Sequence, residues 1–275
     1  MCGKSPRLVC STEDPRNTPP APAWESSGVP DLRQHRGPHP EDRTLFALTE
    51  VPVLQSAATD LSWLLTRGYA RNSAVKLVGD RYTLRTRQRL AVSRSACSAS
   101  DVAFRASRNL RETDLAGKTL WIDGYNILTS IEAALAGGVL LRAQDGCYRD
   151  MASMHGSYRK VAETLPAVEL LGTLLAQWNL TACHWLLDRP VSNSGRLKEL
   201  LLQSATRHHW NWQVALADDP DAELMRCGGT VASADRRVLD GAATWVNLAQ
   251  IAIDGAVNDA WIVNLSTPSR NGNWG

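Results

Sequence analysis

Two patterns of apolar residues divide the chain at about residue 111. From about 112 to 266, short apolar runs alternate with longer segments in which apolar residues recur every three or four positions. The short runs are typical of buried strands and the longer segments of amphipathic helices. The alternation predicts an α/β fold built on a doubly wound parallel sheet. The expected strands are 119–123, 183–188, 212–216, 230–233 and 244–246, and the expected helices are 127–136, 162–178, 195–206, 220–226, 236–240 and 248–253.

The preceding segment, 39–111, has the helical spacing without convincing strand alternation, and it predicts a small all-helical domain. Ser73 is the expected N-cap of a helix over 74–82, and Ser98 is expected to begin another. Residues 1–38 are rich in Pro, Ser and charge and predict a disordered leader. The domains expected are therefore 39–111 and 112–266, followed by a loose tail over 267–275.

Aspartates follow four of the expected strands. They are Asp123, Asp188, Asp235 and the cluster Asp218, Asp219 and Asp221. The carboxyl ends of parallel strands face one crevice, so these side chains are expected to converge. Converging carboxylates are costly unless they are protonated or neutralised by a hard divalent cation. The pattern therefore indicates metal-dependent phosphodiester chemistry.

Each acid also has a purely structural interpretation. Asp123 begins an Asp-Gly turn in which Asn126 either caps the next helix or orients a water or phosphate. Asp235 is either an N-cap or a site residue, with Ser233 on the same face of the strand. In the 218–221 cluster, helix capping explains one or two acids more naturally than three, and the metal-facing acid is either Asp219 or Asp221.

Asp188 is followed by Arg189 and by the hydroxyls of Ser192 and Ser194. These side chains are candidates for holding a phosphate at the start of the next helix. The structural alternative is that Ser192, Asn193 or Ser194 caps that helix, and one of the three is expected to do so.

The segment 145–150 supplies further candidates and is expected to be a loop or helix. Asp150 would add a carboxylate and Arg149 a phosphate contact. The alternative is a surface ion pair involving Asp145, which would stabilise the fold little.

Charge is distributed unevenly along the chain. Residues 1–111 hold 17 Lys and Arg against 10 Asp and Glu, whereas the rest of the chain holds 13 against 18. A basic module joined to an acidic site suits an enzyme that acts on a polyanion. The basic run Arg81, Arg85, Arg87, Arg89 and Arg94 is a candidate for tracking a phosphate backbone, the alternative being a solvated helix face.

Composition excludes several classes of protein. No apolar stretch is long enough to cross a bilayer, and the N-terminus lacks a signal-peptide core, so a cytoplasmic protein without a membrane partner is expected. The six cysteines form no CxxC pair, which argues against a zinc knuckle. Gly-rich phosphate loops of the P-loop and dinucleotide-binding types are also absent from the sequence.

The order of the motifs IDGYN, LLD, ADDPDAE and ASAD resembles the PIN-like nucleases, especially their NYN branch. The whole of residues 38–266 resembles an uncharacterised prokaryotic family that joins a small helical N-terminal domain to a PIN-like domain. Segments such as 67-RGY, 78-VGDRYTLRTRQR and 145-DGCYRD carry this second resemblance.

The resemblance implies a PIN-like fold, a Mg²⁺ or Mn²⁺ site, cleavage of RNA or single-stranded nucleic acid and, by family analogy, a homodimer. Asp123 and Asp235 match the first and last acids of the family, and either Asp150 or Glu163 fills the second position. Asp188 resembles the second-strand acid of the NYN branch.

Two other functions remain open at this point. The first is a non-catalytic PIN-like module, in which the crevice binds nucleic acid or a nucleotide without turnover and the helical domain recruits a partner. A phosphatase with Asp123 as nucleophile is disfavoured because no second acid stands two residues after it.

Overall fold

A five-stranded parallel sheet lies at the centre of the α/β part of the protein. The computed structural model describes residues 36–151, 158 and 160–266, which all belong to one compact unit. The sheet consists of β1 (Thr119–Asp123), β4 (Ala182–Asp188), β5 (Trp212–Ala217), β6 (Thr230–Ala232) and β7 (Thr244–Val246). Their order is β5-β4-β1-β6-β7, and every neighbouring pair is parallel. The predicted strands and the parallel α/β architecture are therefore confirmed.

Helices cover both faces of this sheet because its apolar side chains alternate in direction. In β4, Trp185 and Leu187 join the large cluster beneath the long helices, whereas Leu186 joins a smaller cluster on the opposite face. Strands buried on both faces read as continuous apolar runs, which is how their sequence reads. The helices of this part are α6 (Gly124–Leu135), α7 (Thr164–Gln177), α8 (Ser194–His208), α9 (Pro220–Arg226), α10 (Arg236–Gly241) and α11 (Leu248–Ala256).

The strand order creates a switch point at β1. The chain passes from β1 to β4 and β5 on one side, then returns to β6 and β7 on the other. Ligand crevices in open α/β sheets form outside the carboxyl ends of the strands at such a point. Asp123 is the last residue of β1 and therefore stands at this position.

A second, three-stranded sheet was not predicted. It contains β2 (Leu140–Arg142), β3 (Tyr148–Asp150) and β8 (Ile262–Asn264) in the order β3-β2-β8. Strands β2 and β3 form an antiparallel hairpin, and β8 pairs with β2 in parallel. The expectation of a loop or helix over 145–150 is confirmed for the turn at 145–147 and wrong for 148–150, which form β3.

The N-terminal part of the described chain is helical, as expected. Its helices are α1 (Asp42–Leu45), α2 (Val51–Thr66), α3 (Arg71–Arg81), α4 (Thr86–Ser95) and α5 (Ala99–Ala106). Ser98 caps α5 by accepting from the Asp101 amide. Ser73 does not cap α3, because that helix already begins at Arg71 with Ala70 as its N-cap.

The helical part and the small sheet share a hydrophobic cluster. Leu54 and Leu61 of α2 pack in the same cluster as Leu141 of β2 and Val263 of β8. The division into domains at residue 111 stays a prediction, as do the disordered leader and the loose tail, which lie almost wholly outside the described residues. Within the described ranges, no helix is long and apolar enough to cross a bilayer.

Gly172 in the middle of α7 provides a test of core packing. A Cβ added there would lie 2.0 Å from Trp210 Cη2, and the Trp210 ring is held between the rings of His208 and Trp212. Gly172→Ala is expected to lower the free energy of unfolding by about 1–3 kcal/mol despite the better helix propensity of alanine. Denaturant titration measures this, and Gly255→Ala, with open space around the added Cβ, is the control expected to be neutral or stabilising. Equal effects of the two substitutions would contradict the packing argument.

Candidate functional site

A cleft of about 350 Å³ opens at the carboxyl ends of the central strands. Five aspartates line it, namely Asp123, Asp150, Asp188, Asp221 and Asp235. They are contributed by the ends of β1, β3 and β4 and by the starts of α9 and α10. The convergence expected from the sequence is therefore observed for these five side chains.

Asp123 is the most buried acid of the cleft, with 7 % of its surface exposed. Its Oδ2 accepts a hydrogen bond from the Ser233 hydroxyl at 2.7 Å, and its Oδ1 accepts one from the backbone amide of Asn126 at 3.4 Å. Burial, and then the charges of Asp221 and Asp235, raise the pKa of Asp123 to about 7, although the Ser233 bond favours the ionised form. A cation in the cleft would relieve this unfavourable charge.

Gly124 allows α6 to begin directly at the end of β1. A Cβ at this position would meet Leu187 Cδ2 at 2.4 Å and the Leu186 carbonyl oxygen at 2.9 Å. Close approach to β4, rather than an unusual backbone conformation, therefore requires glycine here. Asn126 is not the N-cap of this helix, since Asp123 holds that position.

Asp221, rather than Asp219, faces the cleft. Burial, and then the charge of Asp235, raise the pKa of Asp221. Asp219 instead caps α9, accepting from the Ala222 amide at 3.0 Å, and is absent from the cleft lining. Burial, and then Asp219, raise the pKa of the half-buried Asp188 at the end of β4.

The loop between β6 and α10 is fixed on both sides of Ala234. The Ala234 amide donates to Asn126 Oδ1 at 2.7 Å, and the Ala234 carbonyl accepts from Arg149 Nε at 2.9 Å. Asp235 caps α10 through Oδ1, which accepts from the Arg237 amide at 2.7 Å. Ser233 and Asn126 thus hold Asp123 and the loop that carries Asp235 in place, and Asn126 also lines the cleft.

Asp150 lines the cleft opposite these residues. Its Oδ2 accepts from the Thr129 and Ser130 hydroxyls at 3.2 and 3.3 Å. Glu163, the other candidate for the second acid, is the N-cap residue of α7 and is not among the residues that line the cleft.

Arg149 belongs to a buried ion-pair network with Asp145 and Arg105. Asp145 accepts from Arg149 at 2.7 and 2.8 Å and from Arg105 at 2.6 Å, and its side chain is fully buried. Burial alone would raise the pKa of Asp145, but the two guanidinium groups outweigh it and hold this pKa well below its usual range. The alternative interpretation of Asp145 and Arg149 as a surface ion pair is therefore wrong, because the pair is buried.

Several residues expected at the site lie elsewhere. Arg189 pairs with exposed Asp218 at 2.8 Å, Ser192 is exposed, and neither lines the cleft. Ser194 is buried and is likewise outside the cleft lining. Asn193 is the N-cap residue of α8, as expected for one of Ser192, Asn193 and Ser194, but it has a left-handed conformation and its side chain makes no cap hydrogen bond.

The arginine run on α4 is directed mainly into the protein. Arg87 binds the buried carboxylate of Asp42. Arg89 pairs with Asp80 at 2.9 Å and donates to the Leu84 carbonyl at 2.8 Å. Arg85 is exposed, and none of the three lines the cleft.

Of the residues that line the cleft, sequence reasoning named Arg94 only as part of the basic run, and it did not name Tyr125, Thr129, Ser130, Ala234 or Arg236 as site residues. Tyr125 Oη is buried and has no partner with hydrogen-bond geometry among the described residues. Burial, and then the charge of Asp188, raise the pKa of this hydroxyl above its usual range, while the Ser194 hydroxyl lowers it. The position of Tyr125 directly after Asp123-Gly124 was a usable signal.

The cleft acids do not form a closed metal cage. Within the described ranges, no group of three or more His, Cys, Asp or Glu side chains is placed to hold a metal ion together. Mg²⁺ is commonly bound by one or two carboxylates and several waters, so the oxygen-only donor set of the cleft suits that mode of binding.

These features define an α/β protein with an acidic cleft at the switch point of a parallel sheet. The chain belongs to the family described as "Domain of unknown function (DUF5616)", whose model matches residues 112–251. Residues 53–108 match the family "Protein of unknown function (DUF434)". Among curated proteins, the chain is similar to "Uncharacterized protein MJ0935" of Methanocaldococcus jannaschii, with 29 % identity over 171 residues. That match covers 62 % of this chain and 82 % of the archaeal protein, and no solved structure matches.

The raised pKa of Asp123 leads to a test of stability against pH. Because its folded pKa lies above the unfolded value, ionisation destabilises the fold progressively as pH rises from about 4 towards 7. In metal-free buffer at pH 8, Asp123→Asn is expected to raise the free energy of unfolding by a few kcal/mol at most, of the order set by the pKa shift. Denaturant titrations should show this gain disappearing near pH 4.

Asp218→Asn is the matched control, since Asp218 is exposed and outside the cleft. An Asp123→Asn gain that is the same at pH 4 and pH 8 would contradict the electrostatic explanation.

The buried network gives the opposite expectation. Asp145→Asn leaves Arg105 and Arg149 without their shared carboxylate and is expected to cost about 3–5 kcal/mol at pH 7. Because the folded pKa of Asp145 is depressed, its contribution is present above about pH 4 and is lost as pH falls further. Chemical denaturation of Asp114→Asn, which breaks the exposed Arg111–Asp114 pair, is the control, and its loss of stability is expected to be much smaller because solvent screens an exposed pair. Similar losses for both variants would refute the assignment.

Proposed function

We propose that the protein is a metal-dependent nuclease, an endoribonuclease with a PIN-like domain of the NYN type. The observation that carries this proposal is the convergence of Asp123, Asp188, Asp221 and Asp235 at the switch point of the sheet. The pKa values of Asp123, Asp188 and Asp221 are raised, which means that bringing these carboxylates together in their charged form is unfavourable. Such arrangements are concentrated at functional sites.

The donor chemistry of the cleft fits Mg²⁺ or Mn²⁺. Asp123, Asp221 and Asp235 would hold the cation, partly through water, since their charges act on one another. When bound, such a cation would lower the pKa of a coordinated water and neutralise negative charge on the phosphate.

The residues of the chain would divide the remaining work. Ser233 and Asn126 hold Asp123 and the loop that carries Asp235, so the acids keep their positions without substrate. Asp188, half-buried and with a raised pKa, is suited to accept a proton from the attacking water. Arg94 and Arg236 line the same cleft and would meet the phosphate oxygens of the substrate.

The substrate class that fits best is RNA or single-stranded nucleic acid. The cleft is open and has both polar and charged walls, which suits a polyanionic chain more than a small apolar ligand. The Tyr125 hydroxyl provides a buried polar group that a ribose or phosphate oxygen would satisfy.

A second candidate function is a nucleic-acid-binding or partner-recruiting module without turnover. It is favoured by the finding that, among the described residues, no three potential metal ligands are placed to hold one cation together. The acids would then serve mainly as helix caps, which Asp123, Asp219 and Asp235 demonstrably are.

Cleavage of labelled RNA and single-stranded DNA in the presence of Mn²⁺ or Mg²⁺ tests the two functions. Wild type is expected to cleave, and Asp123→Asn and Asp221→Asn are expected to lower the rate at least 100-fold because each removes a cation ligand. Asp218→Asn is the matched control, three residues from Asp221 but outside the cleft.

A second readout is independent of activity: Mn²⁺ should raise the melting temperature of wild type more than that of Asp123→Asn. Binding of RNA without cleavage under any divalent metal would favour the non-catalytic module. Metal-dependent cleavage that survives both substitutions would refute the site assignment.

A further inference from the structure

A second cavity of about 570 Å³ lies beside the acidic cleft. It is bordered by the first residue of α3, by α5, and by α9 and α10. Four arginines and two aspartates line it, namely Arg71, Arg105, Arg236, Arg237, Asp101 and Asp240. Arg236 also lines the cleft, so the two cavities share a wall.

The arginines of this cavity differ in how their charge is balanced. Arg105 is paired with both Asp145 and Asp240. Arg237 lies 3.7 Å from Asp219 and 3.5 Å from Asp221. Arg71 and Arg236 have no carboxylate within 4 Å among the described residues.

Backbone carbonyls, which carry no charge, bind Arg71 and Arg236 instead. Arg71 donates to the carbonyls of Ser93 and Ala96 at 3.0 and 3.1 Å, and Arg236 donates to the Ser93 carbonyl at 2.7 Å. Both side chains are only partly exposed. Two guanidinium groups are therefore fixed in orientation, converge on one carbonyl and retain their full positive charge.

The electrostatics of Arg71 agree with this geometry. Its pKa is lowered, first by burial and also by the charges of Arg105 and Arg149, although Asp101 opposes the effect. A bound anion would offset both causes. Guanidinium groups bind phosphate oxygens with more than one hydrogen bond, and phosphate is the anion that arginine clusters recognise best.

We propose that the cavity is a phosphate-binding subsite centred on Arg71 and Arg236. Because Arg236 borders both cavities, a nucleic-acid strand with one phosphate in the cleft would place a neighbouring backbone phosphate here. This assignment of the ligand rests on the proposed nuclease function, whereas phosphate binding by the cavity does not. A free phosphate or a small phosphorylated molecule offers the same chemistry.

The first measurement is binding of a fluorescent single-stranded RNA to the full chain in EDTA, where metal-dependent cleavage is absent. Arg71→Gln is expected to weaken binding about 5- to 10-fold and to reduce the salt dependence by the equivalent of about one phosphate contact. Arg226→Gln is the matched control, because it removes the same charge from an exposed position outside both cavities.

Met225→Glu provides a second variant, which retains every arginine of the cavity. Met225 lines the cavity and is partly exposed, so a carboxylate there would repel phosphate without removing a cation. It is expected to weaken RNA binding at least as much as Arg71→Gln. Its melting temperature identifies any loss of binding that comes from unfolding.

Inorganic phosphate serves as the second probe, with its stabilisation of wild type and of both variants followed by thermal shift. If the variants lose binding of RNA, the ligand is the nucleic-acid backbone; if they lose only the response to inorganic phosphate, it is a small phosphorylated molecule. Folded variants that bind both probes within twofold of wild type would overturn the subsite.

The two proposals fail separately in these experiments. If Arg71→Gln and Met225→Glu weaken RNA binding but wild type does not cleave RNA in Mn²⁺, the subsite is supported and the nuclease function is refuted. If cleavage requires Asp123 but neither cavity variant changes KM or kcat, the nuclease function is supported and the subsite is refuted.

Discussion

The carboxylate of Asp145 is the constraint on which the arrangement of the site depends. It is fully buried and is shared by Arg105 of α5 and Arg149 of β3. Arg149 in turn holds the Ala234 carbonyl, and Arg105 reaches Asp240 of α10. None of these charges is tolerable in the interior without its partners. One acid therefore ties the helical part, the small sheet and the loop before Asp235 into a single network.

Around this network, the protein keeps opposite charges in neighbouring cavities. Aspartates line the cleft at the switch point, while the cavity beside it contains Arg71 and Arg236, which have no carboxylate partner among the described residues. Arg237 of the cavity lies 3.5 Å from Asp221 of the cleft, but Arg236, which borders both cavities, is not paired with a cleft aspartate. Stability alone would favour pairing these charges or removing them. Their separation is the arrangement that a phosphate chain with bound cations would complement.

The sequence predicted what depends on local pattern. The strands and helices of the large sheet were found because each has a continuous apolar run or a helical period, and Asp123, Asp188 and Asp235 because they end such runs. Strands β2, β3 and β8 were missed because three residues show no period. The partner of Arg87 is Asp42, 45 residues earlier in the chain, so the direction of this side chain was not predictable from local pattern. Asp219 and Asp221 share one helical turn, and only the packing of α9 distinguishes them.

The clamp on Ala234 has a consequence for the dynamics of the loop. Asn126 and Arg149 bind the amide and the carbonyl of this one residue, between Ser233 and Asp235. Loops next to ligand sites are usually among the least stable parts of a protein. Here the amide hydrogen of Ala234 should exchange with solvent as slowly as those of the central strands. Asp235, which follows Ala234, and Asp123, which accepts from Ser233, then need no reordering when a ligand arrives. The entropy of ordering the site is lost during folding instead of during binding.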